Sequence, residues 1–228
     1  MKFDVIILAY SKTAQHIENT MNCIRSLRSA RNKIGVNIYV IESYNRNIKY
    51  TGATTIFWVG ENGFNYNESM NYGISISKEE YVFCCNNDLV FGNGWADNCY
   101  YVFAMGYESV SPYCSMTHPR FTSSGDFLIS GYQVGFYIAG WCIGVKRDMI
   151  EKLGGFNTAV NFWYSDNIYC EQIKIARVKH ALVCNSFVTH LDFGSQTLNT
   201  LEQKEKTRLT SAQRKVFNNE VKKLYKNG

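Results

Sequence analysis

The chain is poor in the features that divide, staple or anchor a fold. Only 2 of its 228 residues are proline, and no Pro/Ser-rich stretch marks a linker, so composition gives no reason to split it into separate domains. No two cysteines stand in a CxxC pair, which removes zinc-finger and thioredoxin readings. No apolar run approaches membrane-spanning length. The segment after the first apolar run, Ala9-Tyr10-Ser11-Lys12-Thr13-Ala14, contains no glycine. That argues against the Gly-rich phosphate loop a nucleotidyltransferase would place there. Met1-Lys2-Phe3-Asp4 sets an acid ahead of a run too short for a signal-peptide core. Scattered cysteines in apolar runs behave as small hydrophobes, and the expectation is a reduced, cytoplasmic chain.

What is present is core and aromatic surface. Hydrophobic residues make up 46% of the chain, enough to bury a real core. Aromatics reach 15%, which suits a groove that stacks on sugars or bases, and equally suits ordinary packing. Charge is uneven. Residues 201–228 hold eight Lys/Arg against three Glu, which accounts for the whole formal charge of +5 and leaves residues 1–200 neutral. A basic helical tail is expected there, able to touch phosphates or anionic lipid, or simply to carry a solvated face.

Along the chain, Val5–Ala9, Asn37–Glu42, Thr55–Val59 and Tyr81–Cys85 read as strands. Helices are expected between them, capped at Ser11 or Thr13 in the first case, then over 67–75 and 95–105. Alternation of this kind implies a mainly parallel sheet with helices on both faces. Residues 106–145, rich in Gly, Ser, Tyr and Phe, read as irregular strands and loops over one end of that sheet. A short helix over 146–153 stops at Gly154-Gly155. Another runs from a Ser165 cap to about Val178, followed by an extended run to His190.

One stretch carries chemistry. Tyr81-Val82-Phe83-Cys84-Cys85 is apolar and ends abruptly in Asn86-Asn87-Asp88. A carboxylate where a buried strand leaves the core sits at the sheet rim, where open α/β folds place ligands. Asp88 is poised there to hold a hard cation, and through it a diphosphate. Taken alone, the stretch reads better as a strand followed by an Asn/Asp turn.

The wider pattern resembles a family-two glycosyltransferase of the GT-A fold, rhamnosyltransferase-like or phage-type, over roughly residues 3–196. The residues that carry it follow in order: Val5 to Tyr10; Val40-Ile41-Glu42; Glu61-Asn62-Gly63-Phe64 through Asn71-Tyr72-Gly73; Asn86-Asn87-Asp88 at the metal-binding DxD position; Leu153-Gly154-Gly155-Phe156; Trp163-Tyr164-Ser165-Asp166 at the "ED" position; and Val188-Thr189-His190 with Phe193-Gly194-Ser195. Three departures stand out. Asn86 replaces the first acid of DxD, Glu42 an Asp, and Ser165 the first acid of "ED".

The resemblance implies an α/β fold, a Rossmann-like mainly parallel sheet with a smaller mixed acceptor-side region and a C-terminal helical tail. It implies one GT-A domain over 1–200, with a nucleotide-sugar half (1–105) and an acceptor half (106–200), then a tail over 201–228. Asp88 and His190 are the implied ligands of Mn²⁺ or Mg²⁺, and imidazole beside carboxylate favours Mn²⁺. Ala9, Tyr10, Glu42, Asn62, Gly63, Asn71 and Asn87 are the implied contacts of the nucleotide-diphosphate sugar. Asp166 is the implied general base, and a single base with in-line attack implies inversion. Trp141 and Trp163 are the implied acceptor platforms. The acceptor would be a glycan, a lipid-linked sugar or a hydroxylated base in DNA, although a neutral body lacks the broad basic face that DNA requires. A non-catalytic binding module on the same fold is the alternative, with Asn86 as its sign and the retained Asp88 and Asp166 against it.

Overall fold

The computed structural model describes residues 1–61, 63–118, 125–191 and 203–227. Strand β1 (Lys2–Ala9) lies inside the sheet with all but its first residue buried. Its alternate side chains go to opposite faces. Phe3, Val5, Ile7 and Ala9 join one apolar cluster, and Ile6 and Leu8 join the other. Burial on both faces explains why the run is continuously apolar rather than alternating. Parallel neighbours flank it, β2 (Gly35–Glu42) on one side and β4 (Tyr81–Cys85) on the other. Beyond β2 lies β3 (Thr54–Phe57), also parallel.

Helices α1 (Ala14–Ser29) and α2 (Tyr66–Ile76) make the crossovers. Each starts at a side chain that accepts from the first turn. Thr13 Oγ1 takes the His16 N–H at 3.3 Å, and Asn65 Oδ1 takes the Glu68 N–H at 3.0 Å. Of the two caps expected for α1, Thr13 is therefore the one used.

Residues 106–145 differ from expectation. Their described residues also supply strands to the sheet itself. After β5 (Leu89–Phe91) and α3 (Trp95–Ala104) come β6 (Ser109–Tyr113), β7 (Leu128–Ser130) and β8 (Cys142–Lys146). The sheet order is β3-β2-β1-β4-β8-β6-β9-β5, with β7 on β9 (His180–His190). β8 is antiparallel to β4 and β6, whereas β6 and β9 are parallel. The sheet is therefore mixed but mostly parallel. Pro112 disguises β6 in the sequence. It sits where the register against β9 shifts, a place where a missing N–H disrupts no regular ladder.

Two helices follow β8: α4 (Arg147–Lys152), then α5 (Ser165–Ile175). Gly154 and Gly155 end the α4 segment with φ of 76° and 89°, the left-handed stop expected of them. The tail forms α6 (Gln203–Asn227), which packs against α5. No helix among the described residues is long and apolar enough to cross a membrane. All eight cysteines are free and buried.

Candidate functional site

β4 ends at Cys85, and Asn86, Asn87 and Asp88 carry the chain into β5. That strand pairs antiparallel with the end of β9, with Leu89 opposite His190. The Leu191 N–H donates to the Asp88 carbonyl at 2.9 Å. This register brings two side chains distant in sequence together: His190 Nε2 lies 3.2 Å from Asp88 Oδ2. Trp141 stacks on the imidazole at 5.5 Å and 22°. Asp88 is 7% exposed, yet among the described residues neither its Oδ1 nor His190 Nε2 has a hydrogen-bond partner. Buried polar atoms left without partners are costly. A carboxylate and an imidazole converging with free lone pairs fit a divalent cation, Mn²⁺ in particular. Among the described residues no third His, Cys, Asp or Glu joins them.

Asp166 stands in the first turn of α5. Ser165 does not cap this helix, as expected from the sequence; it is the first helical residue, and its hydroxyl donates to the Phe162 carbonyl at 2.7 Å. The cap position falls to Tyr164, a non-glycine residue with φ 68°. Gly140 packs directly on the carboxylate. A Cβ at that position would lie 2.6 Å from Asp166 Oδ2. Burial pushes the Asp166 carboxyl above its ordinary value, while the Asn167 N–H, donating to Oδ1 at 2.9 Å, opposes the shift. Tyr66 bridges this region to the strand end. Its hydroxyl lies 3.3 Å from Asn86 Oδ1 and 3.4 Å from the Gly140 carbonyl.

Two adjoining pockets meet at this line. The smaller, about 350 Å³, is lined by Tyr10, Lys12, His16, Asn19, Asn86, Asn87 and Asp88. The larger, about 510 Å³, holds Asp166, Trp141, His118 and His190. Tyr66, Asn86, Phe162 and Trp163 belong to both. Volumes of this size suit small-molecule and sugar ligands. Trp163 thus stands between the pockets, and Trp141, 9% exposed, stacks one face on His190.

The expected nucleotide contacts divide. Tyr10 and Asn87 line the smaller pocket, although the Asn87 amide already donates to Thr20 Oγ1 at 2.9 Å. Glu42 lines neither pocket. It is fully buried, and its Oε1 accepts from the N–H groups of Ser11, Tyr44 and Asn45 while Oε2 accepts from the Tyr50 hydroxyl. With four donors satisfied, it ties together the loops at the ends of β1 and β2. Asn71 is likewise committed elsewhere. Its amide donates to the Phe156 carbonyl and accepts from the Phe156 N–H, both at 2.8 Å. Ala9 is buried in the sheet, its carbonyl taken by the Ser43 N–H at 2.9 Å. Gly63, at φ 90°, closes a turn with its N–H on the Gly60 carbonyl and lines neither pocket. Asn62, Phe193, Gly194 and Ser195 lie outside the described residues.

Sequence reasoning did not select Lys12, His16, Asn19, Tyr66, His118 or Phe162, nor Leu209 and Thr210 from the tail. The signal for Lys12 to Asn19 was present, since a segment between a first strand and its helix faces the sheet rim. His118 accepts the Cys114 N–H on Nδ1 at 3.1 Å, and burial pushes it down to about 4, so it is neutral near pH 7.

No family model and no curated protein matches the chain. Among solved structures it is similar to one titled "Crystal structure of GalNAc-T7 with UDP, GalNAc and Mn2+", with a TM-score of 0.67 and 10% identity over 95% of this chain and 50% of that one. The chain therefore spans half the length of that structure, and at such identity the likeness is one of fold. With its mixed, mostly parallel sheet, flanking helices and C-terminal helix, the chain has a GT-A-like fold.

Proposed function

We propose that the chain is an inverting, metal-dependent glycosyltransferase that moves a sugar from a nucleotide-diphosphate donor to an acceptor hydroxyl. The observation that carries this reading is the Asp88–His190 pair. It stands where the two pockets meet, with buried Oδ1 and Nε2 atoms that find no hydrogen-bond partner among the described residues. Asp88 and His190 would hold Mn²⁺ or Mg²⁺, which when bound supplies Lewis-acid stabilisation of the leaving diphosphate. The smaller pocket takes the nucleotide. Tyr10 offers a ring to the base, and Lys12 and His16 offer positive charge or hydrogen bonds to phosphate oxygens. In the larger pocket Asp166 accepts the proton of the acceptor hydroxyl as that oxygen attacks the anomeric carbon. Its raised pKa suits this role, because a general base works best near the operating pH. Gly140 and the Asn167 N–H hold the carboxylate in place. Attack from the face opposite the leaving diphosphate inverts the configuration.

The aromatic lining of the larger pocket favours a carbohydrate acceptor, since sugar rings stack well on indole and phenyl faces. Neutrality of residues 1–200 favours a glycan over DNA.

The test incubates the chain with nucleotide sugars, Mn²⁺ and an acceptor panel, and follows release of nucleoside diphosphate together with the anomeric proton of the product. The expected result is metal-dependent transfer with inversion, abolished in Asp166→Asn. Retention of configuration, or undiminished turnover in Asp166→Asn, would overturn the assignment.

A further inference from the structure

Tyr164 holds a left-handed backbone at the entrance to α5, two residues before Asp166. A non-glycine residue in that region is strained and persists only where its surroundings impose it. Here the surroundings come from α6. Phe217 stacks on the Tyr164 ring at 5.1 Å and 17°. One turn earlier, Gln213 Oε1 accepts the Asn161 N–H at 2.7 Å. Another turn back, Leu209 lines the smaller pocket and its neighbour Thr210 the larger. Further along, the Tyr225 hydroxyl donates to Glu171 Oε2 at 2.7 Å. Leu209, Gln213 and Phe217 are spaced by four, so they share one face of the helix. Arg208, Arg214, Lys215, Lys222 and Lys223 remain exposed.

We propose that α6 is a part of the site: it walls both pockets, and through the positioning residues Phe217 and Gln213 it holds the 161–166 loop, and with it Asp166, in place. The catalytic side of this proposal rests on the glycosyltransferase reading; the mechanical side does not. Two anchors of different chemistry act on the loop, one fixing its start at Asn161 and one fixing the left-handed residue. Without these contacts Tyr164 is freer to relax to an ordinary backbone, which would turn the first residues of α5 and move the Asp166 carboxylate away from Gly140.

The experiment is amide hydrogen exchange on the full-length chain, combined with kinetics. Phe217→Ala is expected to speed exchange across 161–167 by tenfold or more, on the order of the loss of one loop anchor, while β1 and β4 stay protected. Its kcat is expected to fall about 10- to 100-fold, as a displaced reacting group does, with nucleotide affinity changed less than about threefold. Phe217→Tyr should restore both quantities, and Lys215→Ala, on the exposed face, should alter neither. If Phe217→Ala does not fold, Gln213→Ala provides the same readout with a smaller perturbation. Unchanged exchange at 161–167 in a folded variant would overturn the proposal, as would a loss of nucleotide affinity equal to the loss of kcat. Faster exchange in a chain whose wild type binds no nucleotide would support the contact and overturn the glycosyltransferase reading instead.

Discussion

Asp166 illustrates how one environment serves chemistry at the expense of stability. Burial raises its carboxyl pKa. As pH rises from the unfolded-state value through the raised folded value, the folded chain keeps a proton that the unfolded chain has lost, so stability falls with pH across that window. Asp166→Asn removes this penalty and keeps an oxygen for the Asn167 N–H. The variant should therefore melt no lower than the wild type at pH 7 while losing turnover. Calorimetric melting beside an activity assay checks both, and a clear drop in melting temperature would contradict the account. Turnover of the wild type should decline on the acid side at a pH above the usual carboxylate range. Glu42 is the opposite case, a carboxylate used for architecture. Glu42→Ala leaves four donors without their acceptor and should cost about 3–5 kcal/mol, measurable by urea unfolding. Glu42→Gln retains the Oε1 bonds and should leave nucleotide affinity within about threefold; a large specific loss of affinity would restore Glu42 as a ribose contact.

Among the elements, α2 does more than cross from β3 to β4. Asn65, Asn67 and Asn71 each donate a side-chain amide to the loop that leads to α5, reaching the carbonyls of Thr158, Asn157 and Phe156 at 2.9, 2.7 and 2.8 Å. The segment expected from the sequence to contact the nucleotide also brackets the loop that leads to Asp166. Asn71 also occupies the space a side chain at Gly155 would need, since a Cβ there would lie 2.8 Å from its Oδ1. Asn71→Ala should accordingly destabilise the chain by about 1–3 kcal/mol, the cost of orphaned buried backbone groups, without weakening nucleotide binding in the folded fraction. Thermal unfolding and calorimetry separate the two effects. A sequence reading could find these asparagines and their spacing but not their targets, which lie about ninety residues downstream. The same limit applied to β5, whose three residues are too few to show a period, and to β6, where Pro112 hid a buried strand. By contrast β1 and β4 were legible, because continuous apolar runs between turn signals have few other interpretations.

For the molecule as a whole, the sheet order explains why the site forms where it does. β4 and β9 both deliver their carboxyl ends to one rim, and β5 pairs with the last residues of β9, so Asp88 and His190 meet through register. The two residue types could be picked out in the sequence; their approach to 3.2 Å could not. Charge is also organised at this scale, with a neutral body and a basic exposed face on α6. If the acceptor is a glycan, its binding should change little between about 50 and 200 mM salt, whereas a DNA acceptor contacted through several phosphates would lose on the order of a thousandfold. A salt titration of acceptor affinity distinguishes them.

The central claim, that Asp88 and His190 hold a cation that grips a nucleoside diphosphate, is tested most directly by calorimetric titration of UDP, GDP, dTDP and CDP with and without Mn²⁺, on the wild type and on Asp88→Asn. The account predicts that one nucleotide binds the wild type, that chelating the metal removes the binding, and that Asp88→Asn loses it while remaining folded. Binding of equal strength without metal and in Asp88→Asn, or no binding of any nucleotide by the folded wild type with Mn²⁺ present, would contradict it.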